Sequence, residues 1–196
     1  LMGSSVRNPP LGIKEKIVAQ GLKAADLGDN PSPQELIAAV GDPFQPIAVG
    51  LLLGAREAGQ HVLLGGGSQM LAVLALALRT IETKNRSDFL EGVSIATTKW
   101  LANSSNLPSQ NIQSSFLQLV SLLERTFNVS TLCFSSGLSF ERSTQQVLRD
   151  YENGYIKEGV GAGAISLLAQ VNGVHMKDLV DSCERTINLF YRLTNS

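Results

Sequence analysis

Three short apolar runs, each separated from the next by a stretch of helical periodicity, limit this chain to few folds. They are His61-Val62-Leu63-Leu64, Gly92-Val93-Ser94-Ile95-Ala96-Thr97-Thr98, and Val129 to Phe134. Each is short and apolar, as a buried strand is. Strands alternating with helices form βαβ units, which place the strands parallel in one sheet. The spacing therefore predicts an α/β protein in which ligands bind beyond the carboxyl ends of the strands. Gly65–Gln69 and Ser135–Ser139 fall on that edge.

The helical segments have their own signals. Residues 11–24 carry Ile13, Ile17 and Leu22 toward one face. Residues 33–40 follow Ser32 as N-cap, with Glu35 in the first turn. Gly41-Asp42-Pro43 breaks that helix, and a second runs over 45–58 to Gly59. Ser68 is expected to cap a helix reaching Arg79 that is apolar all round and hence buried. Residues 103–110, rich in Asn, Ser, Pro and Gln, read as an exposed loop. Helices are expected over 112–126, 141–152, 161–171 and 175–193.

Composition excludes several function classes. At 196 residues, 43% hydrophobic and 17% charged, the chain can bury a core as a single α/β domain. A net charge of −1 gives no electrostatic footprint for nucleic acid or an anionic membrane. The longest apolar run, Met70 to Leu78, is too short to span a bilayer. Cys133 and Cys183 belong to no Cys-x-x-Cys pattern and read as free thiols of a reducing cytosol, so the expected location is cytoplasmic. With two histidines, His61 and His175, a His/Cys metal site is not expected. The chain opens Leu1-Met2-Gly3-Ser4-Ser5, which reads as the start of a portion of something longer.

Three segments bear on chemistry, and each reads two ways. Gly65-Gly66-Gly67-Ser68-Gln69 follows a strand and opens a helix, where free N–H groups favour an anionic ligand. It also suits a tight strand–helix turn that needs small residues. Lys157-Glu158-Gly159-Val160-Gly161-Ala162-Gly163 sets a carboxylate among glycines, as a general base requires, or as a first-turn carboxylate favouring the helix dipole. Gly41-Asp42-Pro43-Phe44-Gln45 is a ligand-facing turn, or a plain helix junction with Asp42 as N-cap. Lys14 and Lys16 read first as a solvated face, and Phe44 and Trp100 as core.

Taken together, these elements resemble the nicotinate-nucleotide–dimethylbenzimidazole phosphoribosyltransferase family of cobamide biosynthesis, nearest its archaeal and cyanobacterial branch. The similarity is carried by Gly41-Asp42-Pro43-Phe44-Gln45-Pro46, by Leu63 to Ala72, and by Tyr151-Glu152-x-Gly154-Tyr155-x-Lys157-Glu158-Gly159-Val160-Gly161-Ala162-Gly163. These occur in the family's order across most of residues 1–172.

The resemblance implies a Rossmann-like three-layer α/β fold with a parallel sheet, and a homodimer. It implies transfer of 5-phosphoribosyl from nicotinate mononucleotide to 5,6-dimethylbenzimidazole or a related base, without metal or cofactor. It assigns Glu158 as general base. It assigns Lys14, Asp42, Gln45, Gly65, Gly66, Gly67, Ser68, Gln69, Gly159 and Gly161 to substrate binding, with Lys16 the alternative to Lys14. Two departures stand out. Lys157 replaces the first glycine of the family's Gly-Glu-Gly motif, and the family's phosphate-holding loop precedes the point where this chain opens. The rival readings are a non-catalytic nucleotide-binding or structural domain, and a same-fold transferase acting on another base.

Overall fold

The computed structural model describes residues 11–103, 116–153 and 161–194, except the side chains of Leu11 and Lys14. Three strands, β1 (Val62–Gly65), β2 (Val93–Thr97) and β3 (Leu132–Ser135), form one parallel sheet in the order β1-β2-β3. The register pairs Leu64 with Ile95 and Ile95 with Cys133. The expected parallel neighbours are thus present. The third strand is shorter than expected, because the Thr131 N–H and hydroxyl both turn to the Glu124 carboxylate, at 2.8 and 3.0 Å.

Helices α1 (Leu11–Ala25), α2 (Pro33–Val40) and α3 (Phe44–Glu57) precede the sheet. Ser32 and Glu35 form a reciprocal capping box at the start of α2, with bonds of 3.2 and 2.7 Å. Such a cap is worth about 1 kcal/mol. Between β1 and β2 run α4 (Ser68–Thr80), a 3-10 turn at Thr83–Asn85, and α5 (Arg86–Glu91). Between β2 and β3 lie α6 (Lys99–Ala102) and α7 (Phe116–Phe127). Then follow α8 (Gln146–Glu152), α9 (Ala162–Val171) and α10 (Met176–Thr194).

Side chains alternate across a strand. Leu64, Val93 and Ile95 therefore share one face, where they meet Val73, Leu74, Ala77 and Leu78 of α4 and Val120 and Leu123 of α7. Val49 and Leu52 of α3 close the same core. α4 is buried as its all-round apolar pattern requires. The opposite face carries Leu63, Gly65, Ser94, Ala96, Leu132 and Phe134, and α9 packs there. Helices on both sides of a parallel sheet make this a Rossmann-like α/β fold.

A second cluster holds Leu138, Phe140 and Leu148 against α10 through Leu179, Val180, Cys183 and Ile187. Within it Trp100 meets Tyr151 edge-on at 4.9 Å between ring centres, so Trp100 is core as expected. Phe44 is not core: it is 46% exposed, because α3 turns Val49 and Leu52 inward instead.

Several local expectations are corrected. Residues 141–145 do not continue α8, since the Ser143 hydroxyl and Thr144 N–H bind Glu184 of α10 and hold the chain in a turn. Ser68 is the first residue of α4 and makes no capping bond; Gly67 occupies the cap position. The helix expected from 112 begins among the described residues at Phe116, and most of the loop expected over 103–110 lies outside them. Among the described residues no helix is long and apolar enough to cross a membrane.

Candidate functional site

The glycine turn after β1 sits on the carboxyl edge of the sheet. The Gly66 N–H donates to Ala96 C=O at 3.0 Å, and the Ser136 N–H donates to Thr97 C=O at 3.1 Å, so both ladders run one residue past the strands. Gly66 and Gly67 are buried, whereas Ser68 and Gln69 are exposed at the N-terminus of α4. The first N–H groups of a helix have no intrahelical partner, and they point at this edge.

The turn at residues 41–45 reaches the same helix end. The Asp42 carboxylate accepts the Phe44 N–H at 2.9 Å, and the Asp42 N–H donates to the Gln45 side-chain oxygen at 3.1 Å. Asp42 and Gln45 thus bond reciprocally at the start of α3, one residue ahead of Pro43 at the cap position. Its second carboxylate oxygen accepts a bond from the Gln69 amide at 3.3 Å. Gln69, distant in sequence, is therefore linked to the Asp42–Gln45 turn.

Glycines bring α9 onto the edge. A Cβ on Gly65 would lie 2.7 Å from the Ala164 Cβ, and one on Gly161 would lie 3.2 Å from the Gly65 carbonyl oxygen. A Cβ on Gly163 would lie 2.0 Å from the Thr97 carbonyl carbon. The N-terminus of α9 thus touches the ends of β1 and β2 backbone to backbone. Gly161 occupies the cap position, and its carbonyl accepts the Ala164 N–H at 3.0 Å. Gly65 and Gly161 hold helix against strand at these contacts.

Glu158 and Gly159 lie outside the described residues, as does the Lys14 side chain. The chain on either side of residues 154–160 is anchored. Upstream, the Glu152 carboxylate accepts the Ser139 hydroxyl at 2.8 Å and also the Phe140 N–H. Downstream, Gly161 is seated on Gly65.

Sequence reasoning missed a group of buried hydroxyls. Thr97, Thr98 and Ser136 are at most 1% exposed, at the carboxyl ends of β2 and β3, and their hydroxyls have no hydrogen-bond partner among the described residues. A buried polar group left unmade costs about 1–3 kcal/mol, so three together are unusual. The signal available was Thr97-Thr98 and Ser135-Ser136 closing two strands.

The two thiols are not poised as nucleophiles. Burial raises the Cys133 thiol pKa above its ordinary value, as it does for Cys183, so neither is a ready thiolate. Among the described residues no group of three or more His, Cys, Asp or Glu side chains is placed to hold a metal ion. Shallow hollows lined by Arg56, Asp88 and Phe89, and by Asn128 and Ser130, lie at the opposite, amino end of the strands.

The fold and this edge define a Rossmann-like α/β protein with a glycine-lined strand edge of the kind that receives small ligands. No protein-family model matches the sequence. The chain is similar to cyanobacterial proteins named UPF0284, a name that states no activity. It is 49% identical over 188 residues to the one from Prochlorococcus marinus strain MIT 9313, covering 96% of this chain and 46% of that protein. It is 44% identical over 192 residues to that of Parasynechococcus marenigrum strain WH8102, covering 96% and 46%. For that of Picosynechococcus sp. strain PCC 7002 the identity is 38% over 176 residues, covering 89% and 44%. The chain thus spans about half the length of the curated relatives it matches.

Proposed function

We propose that this chain supplies the acceptor-activating part of a phosphoribosyltransferase, moving 5-phosphoribosyl from nicotinate mononucleotide to 5,6-dimethylbenzimidazole or a related base. Glu158 is the general base in this reading. The observation that carries it is the seat of Gly161 on Gly65 at the carboxyl edge. Glu158 precedes Gly161 by three residues, and three residues reach at most about 11 Å. In this reading its carboxylate acts at the glycine turn. Supporting features are the α4 N-terminus, suited to a phosphate, and the hydroxyls of Thr97, Thr98 and Ser136, without partners among the described residues.

The chemistry is economical. One benzimidazole ring nitrogen attacks C1′ of the ribose, and the bond from C1′ to the pyridinium nitrogen breaks. The bonding pair goes to that nitrogen, so nicotinate leaves with a neutral ring and needs no acid. The benzimidazole has become cationic, and the proton on its other nitrogen passes to Glu158. A placed base of this kind contributes typically ~10²–10⁴-fold, and alignment of the two rings contributes the rest.

The test is product formation at saturating substrates in the full-length Prochlorococcus marinus MIT 9313 relative, with Glu158→Gln made at the aligned position. Turnover should fall about 10²-fold or more while calorimetric binding of nicotinate mononucleotide persists. Near-normal turnover would remove Glu158 as base, and lost binding would recast it as a binding residue. If the unaltered protein ribosylates no benzimidazole or phenolic base, the non-catalytic binding-domain reading replaces this one.

A further inference from the structure

The sheet of this chain has one well-covered face and one that α9 covers over β1 and β2 but leaves open along β3. Leu64, Val93 and Ile95 are buried under α4 and α7. On the other face Leu132 is 53% exposed and Phe134 45%. Among the described residues, α9 is the helix on that side, and its close contacts are with Gly65 and the Thr97-Thr98 backbone, at the carboxyl end. α9 itself leaves Ile165, Leu168 and Val171 exposed at 69%, 46% and 76%. At 100° per residue these three lie within one arc of the helix.

Parallel sheets occur almost only with both faces covered, because each strand is apolar on both sides. Strand β3 follows that rule in sequence, with Leu132 and Phe134 outward and Cys133 inward, but not in exposure. A bare apolar sheet face beside a helix with an exposed apolar arc marks a docking surface. The curated relatives supply the occupant. They match this chain along nearly all its length, yet it covers only 46% of the MIT 9313 protein. The part without a counterpart here is long enough to furnish a complete helical layer.

We propose that the sheet face formed by Leu63, Leu132 and Phe134, flanked by the Ile165, Leu168 and Val171 arc of α9, is where the other half of the longer relatives' polypeptide packs, through an apolar helix laid across the strands. This does not depend on the transferase reading, since it rests on packing and on the length of the relatives.

The experiment uses the full-length MIT 9313 relative with a photo-reactive phenylalanine analogue at the position aligned with Phe134. After irradiation, peptide mass spectrometry locates the adduct. The expected result is an intramolecular cross-link to the part of that protein with no counterpart in this chain. Cross-links joining two copies would overturn the proposal in favour of a self-association face. Absence of any cross-link, with the analogue open to solvent, would overturn it outright. As a second readout, Phe134→Lys in this chain alone should leave the unfolding temperature nearly unchanged, while the aligned substitution in the longer protein should lower it. Equal effects in both would also overturn it.

Discussion

Gly163→Ala is expected to destabilise the protein, although alanine is the better helix former. In a helix interior the exchange favours alanine by about 1 kcal/mol. At Gly163 the new methyl would stand 2.0 Å from the Thr97 carbonyl carbon, 2.2 Å from its oxygen and 2.4 Å from the Thr98 nitrogen. Ordinary carbon contacts lie at about 3.5–4.0 Å, so α9 must retreat by roughly 1.5 Å. All three atoms are backbone of the central strand and its continuation, and the strand cannot yield without breaking pairs to β1 and β3. Overpacking of this kind costs about 1–3 kcal/mol. Here the retreat also uncovers Ala96 and Ala164, which are 0% and 6% exposed. A net loss of about 2 kcal/mol lowers the unfolding temperature by roughly 4–8 °C at this chain length. Gly50→Ala in α3 is the control, since nothing lies within 4 Å of its Cβ position. It should raise the unfolding temperature by roughly 2 °C. The assay is thermal unfolding followed by circular dichroism, with urea unfolding for free energies. If both variants gain stability alike, α9 does not rest on the strand ends as described.

Stability should also depend on acid through Glu184. The Ser143 hydroxyl, followed by the Thr144 N–H, holds its carboxyl below the ordinary value. A lowered folded-state pKa contributes stability that is present above the unfolded value, near about 4.3, and is lost as pH falls through the folded value. The protection of α10 amides relative to their intrinsic exchange rates should therefore fall below about pH 4, and Ser143→Ala should flatten that dependence. Phe140→Ala, at a side chain 2% exposed, should cost about 3–5 kcal/mol and shift the emission of Trp100, the single tryptophan, to the red.

Much of the fold was legible because its strongest determinants are local. Short apolar runs pointed to the strands, and Ser32 with Glu35 to the α2 cap. What escaped prediction was set by distant partners. The turn at residues 141–145 is decided by Glu184, about forty residues on, which no periodicity reveals. The approach of Arg56 to Phe89 C=O and Gln60 C=O requires Gly92, where a Cβ would lie 1.9 Å from the guanidinium. In sequence Gly92 is merely the first residue of an apolar run. At the site, the glycine-rich turns were easy to see, but their role was not. Gly65 and Gly161 admit a helix rather than open space for a ligand, and only the juxtaposed backbones reveal that.

This distinction decides which substitutions speak about ligands. Replacing Gly65 or Gly161 disturbs the contact between α9 and β1, so any loss of binding there is confounded with loss of fold. Gln69 is different. It is exposed in the first turn of α4, and its amide holds the exposed Asp42 carboxylate by a bond of 3.3 Å. A solvent-facing bond of that length contributes little to stability, and surface substitutions usually fall within about 0.5 kcal/mol. Gln69→Ala should therefore leave the unfolding temperature within about 2 °C of the unaltered protein. If the α4 N-terminus receives the nucleotide, the same change removes a donor at the ligand and should weaken binding of nicotinate mononucleotide by roughly tenfold, about 1.4 kcal/mol. Calorimetric titration of the full-length MIT 9313 relative with the aligned substitution measures this, with Lys84→Ala, remote on the 3-10 turn, as control. Unchanged affinity would detach the glycine turn from the nucleotide and leave Gln69 as a link that only ties α4 to the turn at Asp42.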